Sequence, residues 1–200
     1  MGHGLRAALV TAILRGLIEE LKPMASDPGL FLTEINRSVR AILRRTDEPL
    51  LATAFYLVTD AESGTARFAN AGHPSPYHLK PATGEVRLIQ EYDPRHGPVL
   101  GLFDTPEFPT CRFNVDQGDT FILFTDGLYE VENPQQEEFG PKRLMAAVQR
   151  RVKLAPEDLF KSLLAEINGF SGTESFTDDV CLVSMEVAKR DPGFWGEGRP

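Results

Sequence analysis

The sequence predicts a layered domain of helices and antiparallel β-sheets, with the helices packed outside. Three observations predict it. A pair of amphipathic helical segments opens the chain, strands bounded by turn residues follow, and a second helix pair leads into a final apolar strand. The length of 200 residues suits one domain. A chain of this size buries roughly 70% of its unfolded surface, enough for a core without disulfide or metal staples.

The first helix is predicted from Leu5, Ala8, Leu9, Ala12, Ile13, Leu17 and Leu21, which recur at three- and four-residue spacing, and Pro23 ends it. The second starts at an N-cap, Asp27, with Pro28 in the first helical position. Leu32, Ile35, Val39, Ile42 and Leu43 form its buried stripe, and Arg37, Arg40, Arg44 and Arg45 crowd the other face. Residues 53–59 are rich in β-formers, and the turn 60–64 leads into a strand at 65–70. Segments 76–80 and 85–90 read as a second hairpin, and residues 93–109 as a long loop rich in Pro and Gly. Residues 120–125 form an apolar run suited to a strand covered on both faces. Helices are predicted at 141–151 and 156–167, the latter closed by Gly169, before a strand at 180–187 and a loose tail at 189–200.

Composition excludes several classes. A net charge of −8 and a pI near 5.1 argue against nucleic acid as a partner. No apolar run approaches the roughly 18 residues needed to span a membrane, and residues 1–6 do not read as a signal peptide. Cys111 and Cys181, far apart and in no CxxC spacing, read as small reduced core residues of a cytoplasmic protein.

Two acidic motifs carry the candidate chemistry. Asp126 follows a doubly buried strand and precedes Gly127, and Asp178 and Asp179 stand immediately before another apolar strand. If those strands are antiparallel neighbours, Asp126 at the end of one meets Asp178 at the start of the other. Carboxylates converging in this way repel unless a cation or proton lies between them, and an oxygen-only set suits Mg²⁺ or Mn²⁺ rather than zinc. Spacing alone slightly favours a plainer account, in which Asp126 opens a β-turn and Asp178 caps an edge.

Five segments in order add a resemblance. Residues Gly2-His3-Gly4-Leu5-Arg6-Ala7-Ala8, Asn70-Ala71-Gly72-His73-Pro74, Thr125-Asp126-Gly127-Leu128-Tyr129-Glu130, Phe139-Gly140 with Arg143-Leu144, and Asp178-Asp179-Val180 are similar to motifs of SpoIIE/RsbU-type protein phosphatases. These belong to the type-2C, PPM-type metal-dependent superfamily. The resemblance implies an α+β fold, two antiparallel β-sheets in a sandwich flanked by helices, over residues 1–188. It also implies hydrolysis of phosphoserine or phosphothreonine by a water bridging two Mn²⁺ or Mg²⁺ ions. Asp126 and Asp178 take the family's ligand positions, with Asp179 the weaker candidate.

Family members also carry an Asp two or three residues before the Gly-His-Gly segment and another on an earlier strand. Here only Met1 precedes Gly2. The resemblance therefore implies an N-terminally incomplete domain that lacks the leading strands and at least one central ligand, and binds one ion or none. His3 lies where it could donate a proton to the leaving serine oxygen, though a structural role at the loop-to-helix junction is the plainer account. His73 reads as a turn residue, and His78 and His96 have no recognisable partner. The implied substrate is a phosphorylated signalling protein such as an anti-sigma-factor antagonist. Missing leading strands would leave an unpaired edge, so a homodimer or larger species is expected, through that edge or the first two helices. The alternative is a non-catalytic interaction module that retains the fold but an incomplete metal site.

Overall fold

The computed structural model describes residues 5–43, 51–173 and 176–188. The elements run α1 (Leu5–Glu20), α2 (Pro28–Leu43), β1 (Ala54–Asp60), β2 (Thr65–Ala71), β3 (Tyr77–Lys80), β4 (Glu85–Leu88), β5 (Cys111–Asn114), β6 (Thr120–Phe124), α3 (Gly140–Gln149), α4 (Pro156–Ser171) and β7 (Leu182–Glu186). They form two antiparallel sheets, ordered β1-β2-β5 and β4-β3-β6-β7, with four helices. The chain divides into two compact units. One comprises Met1–Val58, Ala66–Ser75 and Tyr92–Phe113; the other comprises Thr59–Thr65, Pro76–Glu91 and Asn114–Pro200.

In the first unit α1 and α2 pack on the three-stranded sheet. Leu17 meets Phe31, Leu32, Ile35 and Val39, and these cover Ala69 and Ala71 of β2. Small residues on the strand let the helices approach closely, and Phe31 stacks on Tyr56 at 4.5 Å. The cap at Asp27 forms as predicted, its Oδ1 accepting from the N–H groups of Gly29 and Leu30 at 3.1 Å each. The long loop after residue 93 is tied down rather than loose. Gly97 N–H donates to the Asn70 carbonyl at 2.8 Å, Asn36 brackets Gly101 and Phe103, and Arg40 pairs with Asp104.

In the second unit α3 and α4 cover one face of the four-stranded sheet. Tyr77 and Leu79 of β3 and Ile122 and Phe124 of β6 meet Leu144, Val148, Leu159, Leu163 and Ile167. On the opposite face of the same strands, His78 and Phe121 are buried and stacked at 4.8 Å. β6 is thus covered on both sides, as its composition predicts. β6 and β7 pair antiparallel from Thr120↔Glu186 to Phe124↔Leu182.

Four details differ from the sequence reading. Ile42, placed in the buried stripe of α2, is 45% exposed near the end of that helix, one turn beyond the buried Val39. β5 was not predicted, because four residues that alternate buried and exposed give too short a pattern. Helix α4 runs through Gly169 to Ser171, and the left-handed residue that ends it is Gly172, at φ 73°. Cys181 is exposed rather than in the core, while Cys111 is buried, which pushes its thiol up to about 12. The Gly2-His3-Gly4 segment, Arg44 and Arg45 and the tail at 189–200 lie outside the described residues. No helix among the described residues is long and apolar enough to cross a membrane.

Candidate metal-binding site

The site forms where β6 ends and β7 begins. After Phe124 the chain stays extended through Thr125, at φ −88° and ψ 159°, and then winds a single 3-10 turn over Asp126–Leu128. Tyr129 N–H and Glu130 N–H both donate to the Asp126 carbonyl, at 2.9 and 3.0 Å, and Leu128, 1% exposed, anchors the turn in the core. Asp126 does open a turn, as the plainer account of that residue expects. Its side chain remains exposed, with Oδ1 accepting from Gly127 N–H at 3.1 Å.

The turn lies against the segment that carries the second acidic motif. A Cβ built on Gly127 would stand 2.9 Å from the Asp179 carbonyl oxygen and 3.3 Å from Asp178 Cβ. Real side chains do not tolerate the first of these distances, so glycine is required for close approach rather than for a special backbone angle. Asp178 is exposed and its Oδ1 accepts from Asp179 N–H at 2.8 Å. The structure thus sets the segments that carry Asp126 and Asp178 side by side, because their strands are antiparallel neighbours.

Two further acids share the neighbourhood. The carboxyl of Glu130 is held above its usual range first by burial and then by the charges of Asp126, Glu138 and Asp178. Tyr129 is raised likewise, first by burial and then by Asp126, Glu130 and Glu138. Among the described residues no group of three or more His, Cys, Asp or Glu side chains is gathered tightly enough to hold a metal alone. Two exposed carboxylates amid further negative charge fit a hard divalent cation that keeps several waters, as Mg²⁺ does.

Of the histidines, His3 lies outside the described residues. His73 sits in a turn closed by Asn70, whose side chain accepts from His73 N–H at 2.8 Å and donates to its carbonyl at 2.9 Å. His78 does have a partner, since its Nε2 lies 2.7 Å from Asp119 Oδ2 in a buried pair. A separation of 41 residues hides that pair from the sequence. Sequence reasoning also missed Glu138 and the hydroxyl of Thr125, which accepts from Cys181 N–H. Thr125 stands within the quoted motif, but nothing in a sequence shows where a hydroxyl bonds.

Comparison with known structures places the fold. The chain superposes on the SiaA-PP2C domain of Pseudomonas aeruginosa with a TM-score of 0.75 and 22% identity, over 92% of this chain and 71% of that one. It superposes on RsbX in complex with magnesium with a TM-score of 0.57 and 16% identity, over 92% of this chain and 75% of that one. The fold is that of a PP2C domain.

Sequence then gives the family. The model for stage II sporulation protein E (SpoIIE) matches residues 1–188, and the chain belongs to that family. Among curated relatives, phosphoserine phosphatase RsbP of Bacillus subtilis (strain 168) is 27% identical over 94% of this chain and 44% of its own length. The chain spans between 21% and 51% of the length of the curated relatives it matches.

Proposed function

We propose that this chain supplies the catalytic fold of a protein phosphatase, removing phosphate from phosphoserine or phosphothreonine of a signalling protein with Mn²⁺ or Mg²⁺ held by Asp126 and Asp178. The observation that carries the reading is the packing of Gly127, the residue after Asp126, against Asp178 and Asp179 at the ends of two antiparallel neighbours. Family membership and the phosphoserine phosphatase among the relatives support the reaction class. An anti-sigma-factor antagonist and a cytoplasmic setting are the substrate and location we infer from the same resemblance. Asp179 is a weaker ligand candidate, and His3 is retained only as a candidate proton donor.

Asp126 and Asp178 would hold the divalent cation, which when bound would neutralise phosphate oxygens and lower the pKa of the attacking water. The chain's own residues supply the rest. Asp126 and Asp178 present anionic oxygens on an exposed rim that a phosphorylated segment can reach. Glu130 and Glu138 add negative charge, so a phosphate is repelled until cations balance the site. The 3-10 turn and the Gly127 contact fix the geometry without a flexible linker.

A second reading has one observation in its favour: the described residues gather no three-membered ligand group, as in an interaction module that keeps the fold without turnover. Phosphate release from a phosphoserine peptide separates the two. The phosphatase reading expects Mn²⁺-dependent turnover that EDTA abolishes, and that Asp126→Asn and Asp178→Asn reduce by orders of magnitude. Equal release by wild type and Asp126→Asn removes Asp126 as a ligand, and no release by wild type at saturating Mn²⁺ supports the interaction module.

A further inference from the structure

β6 and β7 do not end their pairing in the ordinary way. Two residues in a hydrogen-bonded antiparallel pair exchange both N–H···O bonds. Beyond the last regular pair, Phe124↔Leu182, Thr125 N–H donates to the Cys181 carbonyl at 3.2 Å, which is one of the two. The reciprocal bond is missing in its usual form. The Thr125 carbonyl instead accepts from Leu128 N–H at 3.2 Å, closing the turn that holds Asp126. Cys181 N–H donates to the Thr125 hydroxyl at 2.9 Å in its place. That hydroxyl donates its own proton to the Asp179 carbonyl, also at 2.9 Å.

One residue therefore serves both acidic segments. Its carbonyl fixes the turn of Asp126, and its hydroxyl fixes the backbone on either side of Val180, directly after Asp178. A hydroxyl has one proton to give and two lone pairs, and here the proton and at least one lone pair are engaged. The Asp179 carbonyl is held from two sides, by this hydroxyl and by the bare face of Gly127. Threonine also has a branched Cβ, which restricts χ1 and keeps the hydroxyl aimed at β7.

We infer that Thr125 is a positioning residue that sets Asp178 opposite Asp126 through its side-chain hydroxyl, and so tunes the site's affinity for a divalent cation. This rests on the reading of Asp126 and Asp178 as ligands. Thr125 touches neither cation nor phosphate; it acts through the main chain of residues 179–181. Outer-shell partners of metal ligands typically affect affinity by about 10- to 100-fold, and a contact made through the backbone belongs at the lower end.

The test is Mn²⁺ titration calorimetry on the full chain, with far-ultraviolet circular dichroism confirming that every variant is folded. Thr125→Val keeps the shape and removes the hydroxyl, Thr125→Ser keeps the hydroxyl and removes the methyl, and Asp126→Asn and Asp178→Asn control for the ligands. The expected result is a loss of about tenfold in Mn²⁺ affinity for Thr125→Val, with Thr125→Ser restored to within about threefold of wild type. Amide exchange at Cys181 in the metal-free protein should be faster in Thr125→Val and near wild type in Thr125→Ser. Wild-type affinity in folded Thr125→Val, with binding lost in the two Asp variants, overturns the role of Thr125 and leaves the ligand reading intact. Unchanged binding in the Asp variants removes the ligand reading, and the role of Thr125 with it. If Thr125→Val fails to fold, affinity in Thr125→Ala together with the serine rescue decides the matter in the same way.

Discussion

The buried pair of His78 and Asp119 gives the sharpest prediction about what holds the four-stranded sheet together. Their side chains are 0% and 5% exposed, and Asp119 Oδ2 accepts from both His78 Nε2 and Asp116 N–H, at 2.7 and 2.9 Å. Asp119→Ala strands two donors at once. Breaking a buried pair by removing one partner costs about 3–5 kcal/mol, and the lower end applies to a neutral imidazole. Lys80, 3.7 Å from Asp119, keeps its 2.8 Å contact with Asp116 and contributes little. With a urea m-value of about 2 kcal/mol/M, a loss of about 3 kcal/mol lowers the unfolding midpoint by about 1.5 M. His78→Phe keeps the stack on Phe121 and removes the donor, so the double variant should lose less than the sum of the singles, by about 1–3 kcal/mol.

The same pair has a pH signature. Burial lowers the pKa of His78 below its ordinary 6.5, against opposing effects from its hydrogen bond to Asp119 and the charges of Asp119 and Asp116; Lys80 adds to the lowering. The folded state therefore binds fewer protons than the unfolded chain in the window below 6.5. The contribution of His78 is whole above that pH and declines as pH falls towards the lowered folded value. Wild type should lose more stability than His78→Phe between pH 7.5 and 5.5. Additivity of the two substitutions within about 0.3 kcal/mol, or an equal response to acid, would refute this account of the pair.

Two other outcomes follow from particular contacts. Gly127→Ala should destabilise by about 1 kcal/mol net, roughly 3 °C in Tm for a chain of this size, since overpacking outweighs the gain from restricting the unfolded chain. Its Mn²⁺ affinity should fall as well, because the methyl pushes on the Asp179 carbonyl. Asp27→Ala should cost about 1 kcal/mol through the lost cap of α2, read by thermal unfolding. The Thr110 hydroxyl, then Leu30 N–H, holds the Asp27 carboxyl below its ordinary 3.8, so that stabilisation exists above 3.8 and is lost as pH falls through the lower folded value.

What was legible in the sequence was what local pattern encodes. The stripe of Leu32, Ile35 and Val39 and the cap at Asp27 marked α2, and the apolar run before Thr125 marked a strand buried on both faces. Asp126 and Asp178 were legible as a pair only on the condition that their strands were antiparallel neighbours, which the register of β6 and β7 meets. The contacts made at a distance were not legible. The partner of His78, the seat of Gly127 against Asp179 and the two bonds of the Thr125 hydroxyl each join segments more than 40 residues apart. Strand β5 was missed because four alternating residues between a proline-rich loop and a turn carry too little periodicity.

The central claim, that Asp126 and Asp178 together hold a divalent cation, is tested most directly by anomalous diffraction at the manganese edge from crystals of the chain soaked in Mn²⁺. The account predicts a peak between the two carboxylates, about 2.0–2.4 Å from an oxygen of each and completed by waters. No such peak at a Mn²⁺ concentration that supports phosphate release, or a peak coordinated by neither residue, contradicts it.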